Sequence, residues 1–246
     1  MKKLLLASVA AAFMAAPAGF AWAQGAAPEP PADEPPLDWT GFYVGVAVGD
    51  DSGTVNVKDL DGYNGPPPFN YSTEGPQAVV QGGYNWWFDP CWLLGIEGEV
   101  GYFGYEGHGQ YPPYVGVRSI NDSMASSEGG MMATATGRVG LTAGRWLLFA
   151  KGGFAGADIR LSYIDADPVG TTLVSGTHNT EFRTGFTGGG GVEFMFPSSQ
   201  WSARVEYDYY DFGGVTHTAT SFGGTAYRFH HDMTSNAVKV AATYHW

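Results

Sequence analysis

The stretch WSARVEYDYYDF, residues 201–212, carries two sets of side chains that cannot share one environment. In an extended strand successive side chains alternate across the pleat. Trp201, Ala203, Val205, Tyr207 and Tyr209 then line one face, and Ser202, Arg204, Glu206 and Asp208 the other. In a soluble sheet the charged row meets water. In a membrane barrel the apolar row meets lipid and the charged row is enclosed. Fold and function both turn on which arrangement holds.

Seven further segments alternate with the same period: 41–49, 76–86, 92–103, 131–141, 146–157, 182–195 and 233–246. Each is about the length a tilted strand needs to cross a bilayer. The connections alternate too. Those at 87–91, 142–145 and 196–200 are short, whereas 50–75, 104–130, 158–181 and 213–232 are long and rich in Gly, Pro, Ser, Asp and His. Short turns on one rim and long loops on the other is the plan of an outer-membrane barrel, and an even strand number lets an antiparallel sheet close. The fold expected is all-β: an eight-stranded antiparallel transmembrane up-and-down barrel over 39–246.

Three observations put lipid against the apolar row. Aromatics gather near the short turns, at Trp39, Phe42, Trp86, Trp87, Phe88, Trp92, Trp146, Phe194, Phe196, Trp201, Tyr244 and Trp246. A second group, Tyr102, Phe103, Tyr105, Phe154, Phe182, Tyr209, Tyr210 and Phe212, lies toward the long loops. Two such belts match the two bilayer interfaces, with Trp39, Trp86, Trp92, Trp146, Trp201, Tyr244 and Trp246 marking the inner one. The apolar rows carry no charge in their central part, where an Arg or Lys facing lipid costs roughly 2–4 kcal/mol. The polar rows balance themselves: Glu97, Glu99, Glu193, Glu206 and Asp208 against Arg138, Lys151, Arg183, Arg204 and Lys239. A narrow lumen requires that balance, because a buried charge must be paired. Eight strands leave an interior only wide enough for side chains to fill.

The chain opens MKKLLLASVAAAFMAAPAGFAWAQ. Lys2 and Lys3, the apolar run Leu4–Ala16 and the A-x-A site Ala21–Ala23 form a secretory signal peptide, residues 1–23. The alternative, an uncleaved anchor, is interrupted by Pro17 and Gly19 and is short for a span. Residues 24–38, QGAAPEPPADEPPLD, hold five prolines and no hydrophobic period, a solvated tether expected in the periplasm. Without the two signal lysines, 10 bases face 24 acids, a net charge of −14 that argues against a nucleic-acid partner. The single cysteine, Cys91, sits in a turn-like FDPCW setting and has no internal disulfide partner.

DWTGFYVG (38–45), GRVGLTAGRWLLFAKGGFA (137–155) and SNAVKVAATYHW (235–246) resemble the first-strand entry, a central hairpin and the closing strand of small alphaproteobacterial outer-membrane proteins. These are the porin-family or opacity-type barrels, similar in architecture to the transmembrane domain of outer membrane protein A. The resemblance implies that the terminal aromatic strand, ending in Trp where Phe is commoner, is read by the outer-membrane assembly machinery.

The function expected is an integral outer-membrane protein with a structural or surface-interaction role, contacting lipid and, through four mobile external loops, a ligand or host surface. A passive pore is the alternative, disfavoured by a lumen crossed by ion pairs. A lipid-modifying enzyme would need Ser235, His230 or His231, and Asp232 within hydrogen-bond reach. His108, His178 and His217 are scattered over three loops without metal-ligand spacing, and Gly188–Gly191 precedes no helix, so neither a metal nor a phosphate-binding cofactor is expected.

Overall fold

The computed structural model describes residues 37–63, 68–89, 91–110, 124–166, 172–221 and 223–246, with the side chains of 166–181 outside that description. The expected signal peptide, residues 1–23, and most of the expected Pro-rich tether also lie outside it.

Among the described residues the chain is all strand: β1 (Gly41–Asp59), β2 (Phe69–Asp89), β3 (Trp92–Phe103), β4 (Glu106–Gln110), β5 (Met124–Ala143), β6 (Trp146–Ala166), β7 (Thr172–Met195), β8 (Trp201–Ser221) and β9 (Ala226–His245). Every pairing is antiparallel. The order β1-β9-β8-β7-β6-β5-β3-β2 closes through β1–β2 into a ring of eight. The fifth expected segment is β6, and β4 continues the third strand beyond a break.

That break has a local cause. Pro76 in β2 has no N–H to give the ladder, and instead its carbonyl accepts from Gly104 N at 2.9 Å. Gly75 and Gly104 press their backbones together so closely that a Cβ on Gly75 would overlap the Gly104 carbonyl. The strand leaves the ladder after Phe103 and resumes as β4, bridging β2 and β5.

The opening stretch is now resolved. Along β8 exposure alternates without a slip from Trp201 to Phe212. Arg204, Glu206 and Asp208 are at most 2 % exposed, while Trp201 and Val205 are about half exposed. The same holds around the ring: Phe42, Val44, Val46, Val48, Val80, Leu94, Ile96, Val100, Leu148, Phe154, Phe186 and Val240 all face outward. The charges are inside.

Three expectations need correction. The strands run to 24 residues in β7, far past the bilayer band, so most of the connections 50–75, 158–181 and 213–232 is β-hairpin and not a mobile loop. The β1–β2 ladder continues to Val57↔Phe69, β6–β7 to Ala166↔Thr172 and β8–β9 to Thr220↔Ala226. Trp39 does not belong to the lipid-facing belt. It is 1 % exposed and closes the short-turn end of the barrel with Leu93, Leu147, Phe149 and Met195. Its indole edge meets His245 at 5.4 Å and its Nε1 donates to Gly144 O at 3.3 Å. Finally, half of the second aromatic group faces inward. Phe103, Tyr105, Tyr210 and Phe212 are buried and stack on one another, with Phe103 at 5.3 Å from Tyr105 and 5.6 Å from Phe212. Tyr102, Phe154, Phe182 and Tyr209 keep the outward position.

Candidate functional site: an ionic lumen between two apolar plugs

The inward rows of β3, β5, β6, β7, β8 and β9 deliver charged side chains to one level of the barrel. Glycines on the same rows make the room. A Cβ on Gly189 would overlap the Asp208 side chain, and one on Gly191 would meet Glu206 Cβ at 2.9 Å. The Gly188–Gly191 run is thus a packing device for the acids of β8.

At the centre is Glu97. Arg204 grips it with two nitrogens, at 2.6 and 2.9 Å, in the bidentate fork that suits a carboxylate. Tyr43 donates its hydroxyl to the same group at 2.8 Å, and Lys151 approaches at 3.2 Å. Arg138 links Glu97 (3.5 Å) to Glu193 (3.2 Å). Glu193 also accepts from Ser202 at 2.6 Å and lies 2.9 Å from His245 Nε2. On the outer side of the cluster Lys239 binds Glu99 (2.8 Å), Glu206 (2.7 Å) and Asp208 (2.8 Å), and Lys151 reaches the same three at 3.0, 3.2 and 3.3 Å. Arg204 also pairs with Glu206. The guanidinium groups of Arg138 and Arg204 each lie 4.4 Å from the Phe149 ring centre, which supplies an aromatic floor.

Nine of the ten residues expected on the lumen face come together here. Arg183 faces inward but sits near the outer end of the span, opposite Ala157, so the cluster holds five carboxylates and four cations. Hydroxyl donors complete it, Tyr43, Ser202 and Thr134 (3.4 Å from Glu99), with the His245 ring beside Glu193. His245 was legible in principle, because it follows Lys239 and Thr243 on the same parity.

Trp86, Trp92, Trp146, Trp201 and Trp246 are exposed on the outer wall near the short turns, where edge contacts join them to neighbouring rings: Trp86 to Tyr84 (4.7 Å), Trp146 to Phe194 (4.6 Å), Trp201 to Tyr244 (5.3 Å) and Tyr244 to Trp246 (5.1 Å). Cys91 is exposed in its turn, and its carbonyl accepts from Thr142 N at 2.8 Å.

The catalytic arrangement does not assemble. His230 contacts Asp232 (3.3 Å) and Thr216 (3.0 Å) at the surface, while His231 and Ser235 are buried on the opposite face of the same strand. His231 instead packs against His217, ring centres 4.7 Å apart. His108 is exposed on β4 whereas His217 is buried, and the side chain of His178 lies outside the described ones. Glu97, Glu99 and Glu206 bring oxygens within 4.8 Å of one another, but Lys151 and Lys239 already neutralise them.

An apolar outer wall, girdles of Trp and a polar core inside a closed antiparallel ring are features of a barrel that lives in a bilayer. A family model described as outer membrane protein beta-barrel domain matches residues 4–245. The chain belongs to that family. It is 29 % identical over 179 residues, 73 % of this chain and 67 % of the relative, to a 22 kDa outer membrane protein of Rhizobium leguminosarum. It is 26 % identical over 223 residues, 87 % and 88 % of the two chains, to a 31 kDa outer-membrane immunogenic protein of Brucella melitensis. The crystal structure of the outer membrane protein OprG from Pseudomonas aeruginosa superposes with a TM-score of 0.52 at 12 % identity, covering 84 % of this chain and 97 % of that one. The protein is an outer-membrane β-barrel.

Proposed function

We propose that this barrel is a sealed membrane anchor that presents rigid hairpins outside the cell, and that it is neither an open pore nor an enzyme. The supporting observation is the layering of its interior. The apolar plug of Trp39, Leu93, Leu147, Phe149 and Met195 closes one end. The ion-pair cluster fills the middle. Phe103, Met132, Tyr163, Tyr210, Phe212, Phe229 and Met233 fill the outer part, where Tyr163 stacks on Phe229 at 4.1 Å. Eight strands leave an interior only wide enough for side chains to fill, and a stack of this kind speaks against an open channel.

The outer hairpins are tied to one another. Asp61, at the tip after β1, takes both a guanidinium nitrogen (2.7 Å) and the backbone N–H (2.7 Å) of Arg228. Beside it Tyr63 donates to Asp165 on β6, half-way round the ring, and packs on Tyr227 at 4.5 Å. A tip held in this way offers a partner a preformed surface and loses little entropy on binding. The Brucella relative is described as immunogenic, which is consistent with a surface-presenting role. In this reading a signal peptide ending at Ala23 directs export, the 24–38 tether hangs in the periplasm, and the assembly machinery recognises the β9 end. The barrel wall contacts outer-membrane lipid.

Single-channel recording on the purified protein in planar bilayers tests the proposal. Sealed bilayers with only rare, small current steps are expected. Sustained nanosiemens openings would overturn the anchor reading in favour of a pore.

A further inference from the structure

Above the bilayer band the seam between β7 and β8 parts. The two strands form an unbroken ladder from Met195↔Ser202 to Phe186↔Asp211 and meet again only at Ser175↔Thr220 and Val174↔Ser221. Between those points residues 176–185 of β7 and 212–219 of β8 share no ladder pair. On its other edge each strand stays paired, β7 with β6 and β8 with β9. Asp211 is exposed and is the first charged residue beyond the apolar row Val205, Tyr207 and Tyr209. The parting therefore begins outside the hydrocarbon, and the sealed span beneath it is untouched.

Both strands bend at this level. Against β9, β8 runs from Asp211 to Gly214 while its partner runs only from Thr234 to Asp232, so β8 carries one extra residue. Gly213 sits in that bulge with φ 63°, and its N–H donates to Asp211 Oδ1 at 2.9 Å. Against β6, β7 likewise carries an extra residue between Glu181 and His178. A bulge bends the strand that holds it and raises its local twist, and here the bulges lie on the far edges of the two strands that part. At the foot of the seam the backbones still touch. A Cβ on Gly185 would overlap the Asp211 carbonyl, whereas one on Gly213 would meet nothing within 4 Å.

A strand edge without a neighbour offers its N–H and C=O groups as a template on which another chain can add. Each open stretch here is long enough for a strand of ordinary length. An added strand would send alternate side chains to opposite faces. Its inward ones would approach Phe212 and His217, which are buried. Its outward ones would lie beside Asp211 and Asp232, both exposed, so the complementary residues there are basic. We propose that the parted edges of β7 and β8 are a docking site for an extended polypeptide segment of an external partner, held by main-chain hydrogen bonds and basic on its outward positions. The proposal rests on the reading of these hairpins as a surface for partners and names the kind of partner they take.

Hydrogen exchange followed by mass spectrometry tests it on the full chain refolded in detergent. The probe is a nine-residue peptide in which lysine alternates with valine. Before it is added, the seam-facing amides of 176–185 and 212–219 should exchange fast, while those of 201–211, paired on both edges, stay protected. The peptide should abolish that fast fraction in at least one of the two stretches and leave the rest of the barrel unchanged. A copy N-methylated at alternate residues keeps charge and side chains but loses the donors along one edge, and should have no effect. A copy with glutamate in place of lysine should protect less. Deleting Gly213 removes the extra residue of the β8 bulge and should close the seam, giving protection without peptide in a barrel that keeps its heat-dependent gel shift. Seam amides already slow in the wild type would overturn the open edges. Equal protection by the N-methylated copy would overturn strand addition, and by the glutamate copy the basic preference. No protection by any peptide would overturn the site. Conductance enters none of these outcomes, so the failure of this proposal and that of the anchor reading are told apart.

Discussion

Replacing Arg204 by Met removes the cation that ties the two halves of the lumen together. Arg204 donates twice to Glu97, at 2.6 and 2.9 Å, and also pairs with Glu206. Methionine fills much of the volume, so the loss is one of charge more than packing. Breaking a buried pair from one side costs about 3–5 kcal/mol, because the partner is left desolvated and uncompensated. Here Lys151 and Arg138 stay within 3.2 and 3.5 Å of Glu97, so the lower figure applies, about 3 kcal/mol. The substitution shifts the cluster from five carboxylates and four bases to five and three. Adding Glu97→Gln returns it to a single excess acid, so the double variant should recover most of the loss. Urea titration of the barrel in lipid vesicles, followed by tryptophan fluorescence, measures both. If the single variant stays within about 1 kcal/mol of the wild type, a loss typical of an exposed pair, or if the double variant is less stable than the single one, the compensation argument is wrong.

Three other outcomes follow from the same geometry. Trp39→Ala should cost about 3–5 kcal/mol in the same titration, the range for truncating a buried Trp, whereas Trp246→Ala on the outer wall should cost distinctly less. Gly189→Val should prevent closure altogether, since the new side chain meets the Asp208 carboxylate and the Tyr207 carbonyl; the readout is loss of the heat-dependent shift in gel mobility. The Asp61–Arg228 contact should weaken in acid. The Arg228 side chain and backbone N–H hold the Asp61 carboxyl below its ordinary value, so the stabilisation is complete above the ordinary carboxylate range and fades as pH falls below it. Protease nicking of the β1–β2 tip should therefore rise at low pH in the wild type and be high at every pH in Arg228→Ala.

Much of this molecule was written in a period of two. Alternation along 201–212 and its counterparts identified the ring, its inner and outer faces and the members of the charge cluster. Residue type misleads where it runs against parity. Phe103 shares the parity of Glu97 and Glu99, and Tyr210 and Phe212 share that of Arg204 and Glu206, so alternation itself points them inward. Grouping them by aromatic character put them in a belt. Trp39 precedes β1 and had no partner strand to fix its side, so its role as a plug depends on contacts with Leu93, Leu147 and Met195, distant in sequence. The hairpin extensions look like loops in sequence because they carry no lipid-facing apolar row, although Val55 and Val57 on β1 and Ile159, Leu161 and Tyr163 on β6 alternate inward. Beyond the bilayer no such row is needed, and ladder pairing plus the Tyr163–Phe229 core hold them. The tie between Asp61 and Arg228 spans 167 positions, a separation at which no local pattern speaks.

The interleaving of charges around the ring has a consequence for biogenesis. Glu99 on β3 finds its counterion Lys239 on the terminal strand, and Glu97 finds Arg204 on β8. A nascent sheet lacking its final strand would therefore hold bare acids that resist transfer out of water. Completion of the wall and neutralisation of its contents become a single event, which gives a half-built cylinder a thermodynamic reason to stay out of the hydrocarbon until the seam between β1 and β9 is zipped.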